Sequence, residues 1–97
     1  MHMKLSVIIV SYNVCHYLCQ CLDAVWRAAQ VANVETEVFV VDNHSTDGSV
    51  ALLSREYASY LTAEGEGHCR LHLIANHHNA GFGRANNQAL RQCTGDY

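Results

Sequence analysis

Three apolar runs, each followed by a stretch of helical periodicity, predict an α/β fold: a three-layer arrangement around a mostly parallel sheet. The runs are KLSVIIVSYN, TEVFVVDN and CRLHLIAN. They carry Val, Ile, Leu and Phe without clean alternation, as strands covered on both faces do. Each also stops on polar residues, Tyr12-Asn13, Asp42-Asn43 and Asn76, which a parallel sheet would bring to one rim. Ligands of open α/β sheets bind beyond that rim, at the carboxyl ends of the strands.

The elements follow in order. After the first strand, Cys15, Leu18, Cys19, Leu22, Val25, Trp26 and Ala29 recur at helical spacing and predict a helix over about Val14 to Val31. Cysteine acts there as a small hydrophobe. The five cysteines are odd in number and form no CxxC pair, so they read as reduced thiols of a cytosolic protein. After the second strand, Val50, Leu53, Tyr57, Tyr60 and Leu61 mark a helix from Gly48 to Leu61, with Ser45 or Asp47 as its cap. Polar, glycine-bearing Thr62 to His68 is a loop. A third helix runs from about Gly83 to Thr94, and Phe82, Ala85, Ala89 and Cys93 form its apolar side.

Composition removes several functions. Ninety-seven residues make one small domain or part of one. A net charge of −3 with six scattered basic residues gives no footprint for nucleic acid. No run approaches the roughly 20 apolar residues of a membrane span. LSVIIV lacks the basic flank and cleavage site of a signal peptide. Met1-His2-Met3 reads as a cloning remnant, which leaves a domain over residues 4–97. No GxGxxG follows the first strand, and neither a P-loop nor a GxSxG elbow occurs.

What remains is an aromatic and a carboxylate at neighbouring strand ends. A Tyr ring offers a face for stacking a base. A carboxylate only accepts, so it takes N–H or O–H donors from a base or a ribose. Together Tyr12 and Asp42 suit a nucleoside.

The blocks SVIIVSYN, VFVVDNHSTDGS and NHHNAGFGRANNQAL, in this order and spacing, resemble the start of a family 2 glycosyltransferase of the GT-A fold. The similarity runs from Leu5 to the last residue and is closest to the rhamnosyltransferase-like branch, which builds bacterial surface polysaccharides. It implies a Rossmann-like nucleotide-binding half in which Tyr12 stacks on the base and Asp42 hydrogen-bonds it. Asn13 belongs to the same strand end, and Asn43 stands where many members have a second Asp. Asn79, Gly81 and Phe82 match the loop bordering the donor pocket. Arg84 reaches toward a diphosphate, and Asn86 and Asn87 hold that loop by hydrogen bonds.

The resemblance also implies elements beyond this sequence. Members hold a divalent cation, Mg or Mn, with an Asp-x-Asp motif after a fourth strand, and use a later carboxylate as general base. The sequence stops at CTGDY, before that strand, so no catalytic or metal-binding residue is assigned here. The expected reaction of the intact enzyme is direct displacement at a sugar's anomeric carbon, from a nucleotide-diphosphate sugar to a glycan or lipid-linked acceptor hydroxyl. The expected location is cytoplasmic, at the inner face of the membrane where the acceptor is lipid-linked. The chain alone is expected to be inactive. With strand order 3-2-1-4, absence of strand 4 leaves LSVIIV as an open edge, and self-association through that edge is expected.

Two other readings compete. A small non-catalytic module with a flavodoxin- or receiver-like sheet would bind a nucleotide or a protein. A receiver, however, needs an acidic pair where Tyr12-Asn13 stand and an Asp at Asn76. A metal-binding protein would use the seven histidines, but neither His77-His78, the one adjacent pair, nor His44, in a turn, has a partner at ligand spacing.

Overall fold

Residues 3–61 and 69–97 are described by the computed structural model of the chain. Met1, His2 and residues 62–68, where the sequence predicts a loop, lie outside them. The elements are β1 (Lys4–Ser11), α1 (Cys15–Ala32), β2 (Glu35–Asp42), α2 (Ser49–Glu56), a 3-10 turn (Ala58–Leu61), β3 (Cys69–Ala75) and α3 (Phe82–Leu90). The strands form one parallel sheet with β2 at its centre. That is the α/β sheet the sequence predicts, and its order read backwards is 3-2-1.

β2 shows why its sequence does not alternate. Val38 and Val40 face one side, with Leu18, Leu22 and Trp26 of α1, Leu53 of α2 and Leu71 of β3. Phe39 and Val41 face the other, with Ala85 and Ala89 of α3. Both faces are closed, so both residue parities must be apolar. Full burial of such side chains contributes roughly 1.5–3 kcal/mol each. The small alanines let α3 lie close to the sheet.

α1 ends in a Schellman motif. Asn33 adopts the left-handed conformation at φ 55°, its N–H donates to Gln30 O (3.3 Å), and Val34 N–H donates to Ala29 O (3.1 Å). α2 is shorter than predicted. It stops at Glu56 with Tyr57 at its C-cap, and Tyr60 and Leu61 of the stripe fall in the 3-10 turn. The cause is tertiary. Tyr57 is buried with its hydroxyl donating to Asp23 Oδ1 of α1 (2.8 Å), and Tyr60 stacks on Trp26 at 4.8 Å. Burial first, and Asp23 second, push the Tyr57 hydroxyl's pKa well up.

α3 runs from Phe82 to Leu90, not to Thr94. Phe82 is 73% exposed, so it does not belong to the apolar stripe on which the sequence pattern placed it. Gly81 explains this: at φ 84° it turns the chain into the helix and leaves Phe82 on the rim. No described helix is long and apolar enough to cross a membrane.

Candidate functional site

The carboxyl ends of β1 and β2 meet with Ser11 opposite Asp42, both on the α1 face. Both side chains are buried. Asp42 Oδ2 accepts from Ser45 N–H at 2.8 Å. Asp42 Oδ1 and Ser11 Oγ have no hydrogen-bond partner among the described residues. Leaving one buried polar atom unpaired costs about 1–3 kcal/mol. Two on adjacent strands mark a place that a further polar group would complete. Tyr12 follows directly and is 50% exposed, so its ring is available at the same rim.

The β2–α2 loop is held from the other strand end. Asn13, left-handed at φ 52°, accepts from Thr46 N–H through Oδ1 (2.7 Å), and its own N–H donates to Ser45 Oγ (2.9 Å). Its side chain therefore ties the loop down. Asp47 joins two helices. One oxygen accepts from Cys15 N–H at the start of α1 (3.0 Å), and the other from Ser49 N–H (3.1 Å) and the Ser49 hydroxyl at the start of α2. Val14 and Gly48, the residues at the two N-caps, supply no side-chain cap. Of the two predicted caps, Asp47 serves α2, while Ser45 binds Asn13 instead. The Ser49 hydroxyl and then the Cys15 N–H hold the Asp47 carboxyl below the usual carboxylate range. His44, also left-handed at φ 71°, is an exposed turn residue.

The β3–α3 loop is anchored by amides. Asn43 is buried; its Oδ1 accepts from Asn76 Nδ2 (2.9 Å) and Ala80 N–H (3.4 Å), and its Nδ2 donates to Gly81 O (3.4 Å). Asn76 and Gln88 form a reciprocal pair at 2.9 and 3.0 Å. Asn79 Oδ1 accepts from Gly81 N–H (2.9 Å) and shapes the turn before α3. Asn86 Nδ2 donates to Phe82 O (3.0 Å), one turn back in its own helix, and Asn87 is exposed. The loop-holding role expected of Asn86 and Asn87 thus falls to Asn43, Asn76 and Gln88. Arg84 is exposed in the first turn of α3.

All the sequence-selected residues sit on the carboxyl side of the sheet, but they divide in two. Asn13, Asn43, Asn79 and Gly81 hold loops. Tyr12, Phe82 and Arg84 are exposed, and one oxygen of Asp42 has no partner among the described residues. Ser11 was not selected; its register opposite Asp42 is the signal that finds it. An apolar cavity of about 270 Å³ lies elsewhere, between β1 and α1, lined by Leu5, Val7, Val25, Ala28, Ala32 and Val34.

A divalent cation does not fit the described residues. No three His, Cys, Asp or Glu among them converge on a point. Asp96, the last carboxylate, accepts from Lys4 N–H at 3.0 Å.

Comparison with known proteins places this geometry. The sequence model of the family described as Glycosyl transferase family 2 matches residues 6–97. A chondroitin synthase of Escherichia coli is 32% identical over 92 residues, covering 95% of this chain and 12% of that protein. Among solved structures, the mannosyltransferase PcManGT of Pyrobaculum calidifontis, in complex with GDP-Man and Mn2+, superposes with a TM-score of 0.72 at 29% identity. That alignment covers 99% of this chain and 26% of the mannosyltransferase. The chain therefore spans a small part of the length of either protein.

Proposed function

The chain belongs to glycosyl transferase family 2, and on that premise we propose that it is the donor-nucleoside-binding part of an enzyme moving a sugar from a nucleotide-diphosphate donor to an acceptor hydroxyl. The observation that carries this reading is the unpartnered, buried Oδ1 of Asp42, on the strand beside the unpartnered Ser11 hydroxyl, which half-exposed Tyr12 follows in sequence. A carboxylate oxygen held in place by its twin's bond to Ser45 N–H is an acceptor ready for one N–H or O–H of a nucleoside. The base stacks on Tyr12, and Phe82 and Arg84 border the path to the diphosphate. The solved mannosyltransferase, whose complex holds GDP-Man and Mn2+, supports a nucleotide-sugar donor.

The acceptor is a glycan or a lipid-linked glycan, in bacterial polysaccharide synthesis. The work is done on the cytoplasmic side, where the free thiols of Cys15, Cys19, Cys21, Cys69 and Cys93 would stay reduced, and at the inner membrane face for lipid-linked acceptors. Neither the cation nor the general base is assigned to a residue of this chain. The chain alone binds nucleotide without transferring sugar.

Titration of the chain with UDP, GDP, dTDP, CDP and ADP, followed by backbone amide shifts, tests this. At least one nucleotide should shift Tyr12, Asp42 and Gly81 together. Asp42→Asn should weaken that binding about 10- to 100-fold, since hydrogen bonds to charged groups contribute about 1.5–3 kcal/mol. Asn retains an acceptor for Ser45 N–H, so the fold should persist. No shift at this rim with any of the nucleotides, or equal binding by Asp42→Asn, would sink the reading.

A further inference from the structure

The opposite end of the sheet carries a second buried carboxylate, and the proposed nucleoside site does not use it. Glu37 lies on β2 on the α3 face, 5% exposed, opposite Ser6 of β1. Its Oε2 accepts from the Ser6 hydroxyl (2.6 Å) and from Thr94 N–H (2.7 Å). Its Oε1 accepts from Thr94 Oγ1 (3.2 Å) and lies 3.5 Å from Lys4 Nζ. The Ser6 oxygen in turn accepts from Gly95 N–H at 2.9 Å. One carboxylate thus gathers donors from β1 and from the segment that follows α3.

That segment runs along the free edge of β1. Asp96 N–H donates to Lys4 O (2.7 Å), and Ser6 N–H donates to Tyr97 O (2.9 Å). Both segments advance in the same direction across these two bonds, so the contact is parallel. Gly95 is required at the crossing. A Cβ there would stand 2.5 Å from Ser6 Oγ and 2.8 Å from Ser6 N. An apolar side chain at position 37 would fill the same space without the desolvation cost of a buried charge. What the carboxylate adds is direction: it accepts only where Thr94 and Ser6 present donors.

We propose that Glu37 is a positioning residue whose carboxylate seats the chain leaving α3 on the edge of β1, in parallel and in one register. A strand continuing from Tyr97 in that register reaches the level of Ser11 after about five residues. It arrives at the rim that holds Tyr12 and Asp42. Calling that rim a donor pocket rests on the function proposed above; the clamp itself does not. Lys4 and, at 3.9 Å, His72 Nε2 are the titratable neighbours of Glu37. Burial raises the Glu37 carboxyl's pKa, but the bonds from Ser6 and Thr94 and the Lys4 charge more than offset it and keep the group ionised.

Amide hydrogen exchange on the chain tests the clamp without any nucleotide. Thr94, Gly95, Asp96 and Ser6 should be protected in the wild type. Glu37→Gln should speed their exchange at least 10-fold, while Val40 and Val41 in the centre of β2 stay within about 2-fold. Ser6→Ala removes the relay from the other strand and should release Gly95 and Asp96 in the same way, even if Glu37→Gln fails to fold. Uniform acceleration of all amides in both variants would reduce Glu37 to general stability and overturn the proposal, as would unchanged rates at Thr94 and Asp96. Neither result bears on nucleotide binding at Asp42, and loss of the nucleoside reading leaves these rates unaffected.

Discussion

Asn43 offers the clearest separation of loop-holding from ligand-binding. It sits beside Asp42 at the strand end, yet its carboxamide is engaged on both sides by the β3–α3 loop. In Asn43→Ala, the bond from Asn76 Nδ2 at 2.9 Å is lost outright. A net hydrogen bond is worth about 1 kcal/mol. Asn76 Nδ2 keeps Gln88 Oε1 as acceptor, so it is not left bare. Ala80 N–H and Gly81 O lose partners at 3.4 Å, near the geometric limit, and together add about 1 kcal/mol more. The sum is about 2 kcal/mol, which lowers the melting temperature of a domain this size by roughly 10 °C. Asn43→Asp keeps the acceptor for Asn76 but sets a carboxylate oxygen against the Gly81 carbonyl, and should also destabilise. Thermal melts of both variants give the first number, and nucleotide titration well below the transition gives the second. Affinity should fall less in Asn43→Ala than in Asp42→Asn. A melting temperature within about 1 °C of wild type together with lost nucleotide binding would refute the assignment, because Asn43 would then be touching ligand.

Asp47 gives a prediction with a sign. Its folded-state pKa is lowered, so its contribution is present above the unfolded value and is lost as pH falls through the folded one. Asp47→Ala should therefore be destabilised at neutral pH and follow a flatter stability profile below the ordinary aspartate range. Glu37 also has a lowered value, but it is common to both proteins and cancels in the comparison. First-turn amides of α1 and α2 should both exchange faster, and acid profiles that run parallel would count against the double cap. At the free edge of β1, no strand among those described pairs from Val7 to Val10. The chain should associate as concentration rises; sedimentation showing a monomer throughout the micromolar to millimolar range would remove that expectation.

The sheet was legible because its signal is local and repeated: three apolar runs, each ending in polar residues, and helices with a clear apolar side. Asp42 was legible as the one strand-end carboxylate. What escaped depends on contacts between distant segments. The cap of α1 comes from Asp47, 32 residues on, so no local rule finds it at Val14. The end of α2 is set by Tyr57 reaching Asp23, while the sequence pattern ran on unbroken to Leu61. Phe82 matched a helical stripe, but Gly81 rotated it out to the rim. Asn13, Asn43 and Asn79 were selected for a ligand, and the bonds they make to loops had no signal in the sequence. Glu37 carries no local signal of its role, because the donors that surround it arrive from Ser6 and Thr94.

β2 carries both buried carboxylates, and their contrast separates folding from binding. Asp42 and Glu37 are an odd number of positions apart, so they project to opposite faces, and they stand toward opposite ends of the strand. Glu37 is matched on both oxygens by donors from its own chain, and a matched buried charge acts on the fold. Asp42 is matched on one oxygen only, and a half-matched charge leaves free energy to be recovered by an incoming donor. The same replacement of a carboxylate oxygen by an amide nitrogen, Glu37→Gln or Asp42→Asn, therefore has different consequences at the two ends. At Glu37 it should appear in the exchange rates of the segment after α3, with nucleotide absent. At Asp42 it should appear in nucleotide affinity, with those rates unchanged. The chemical perturbation is the same in both, so the difference in outcome isolates what the surrounding donors contribute.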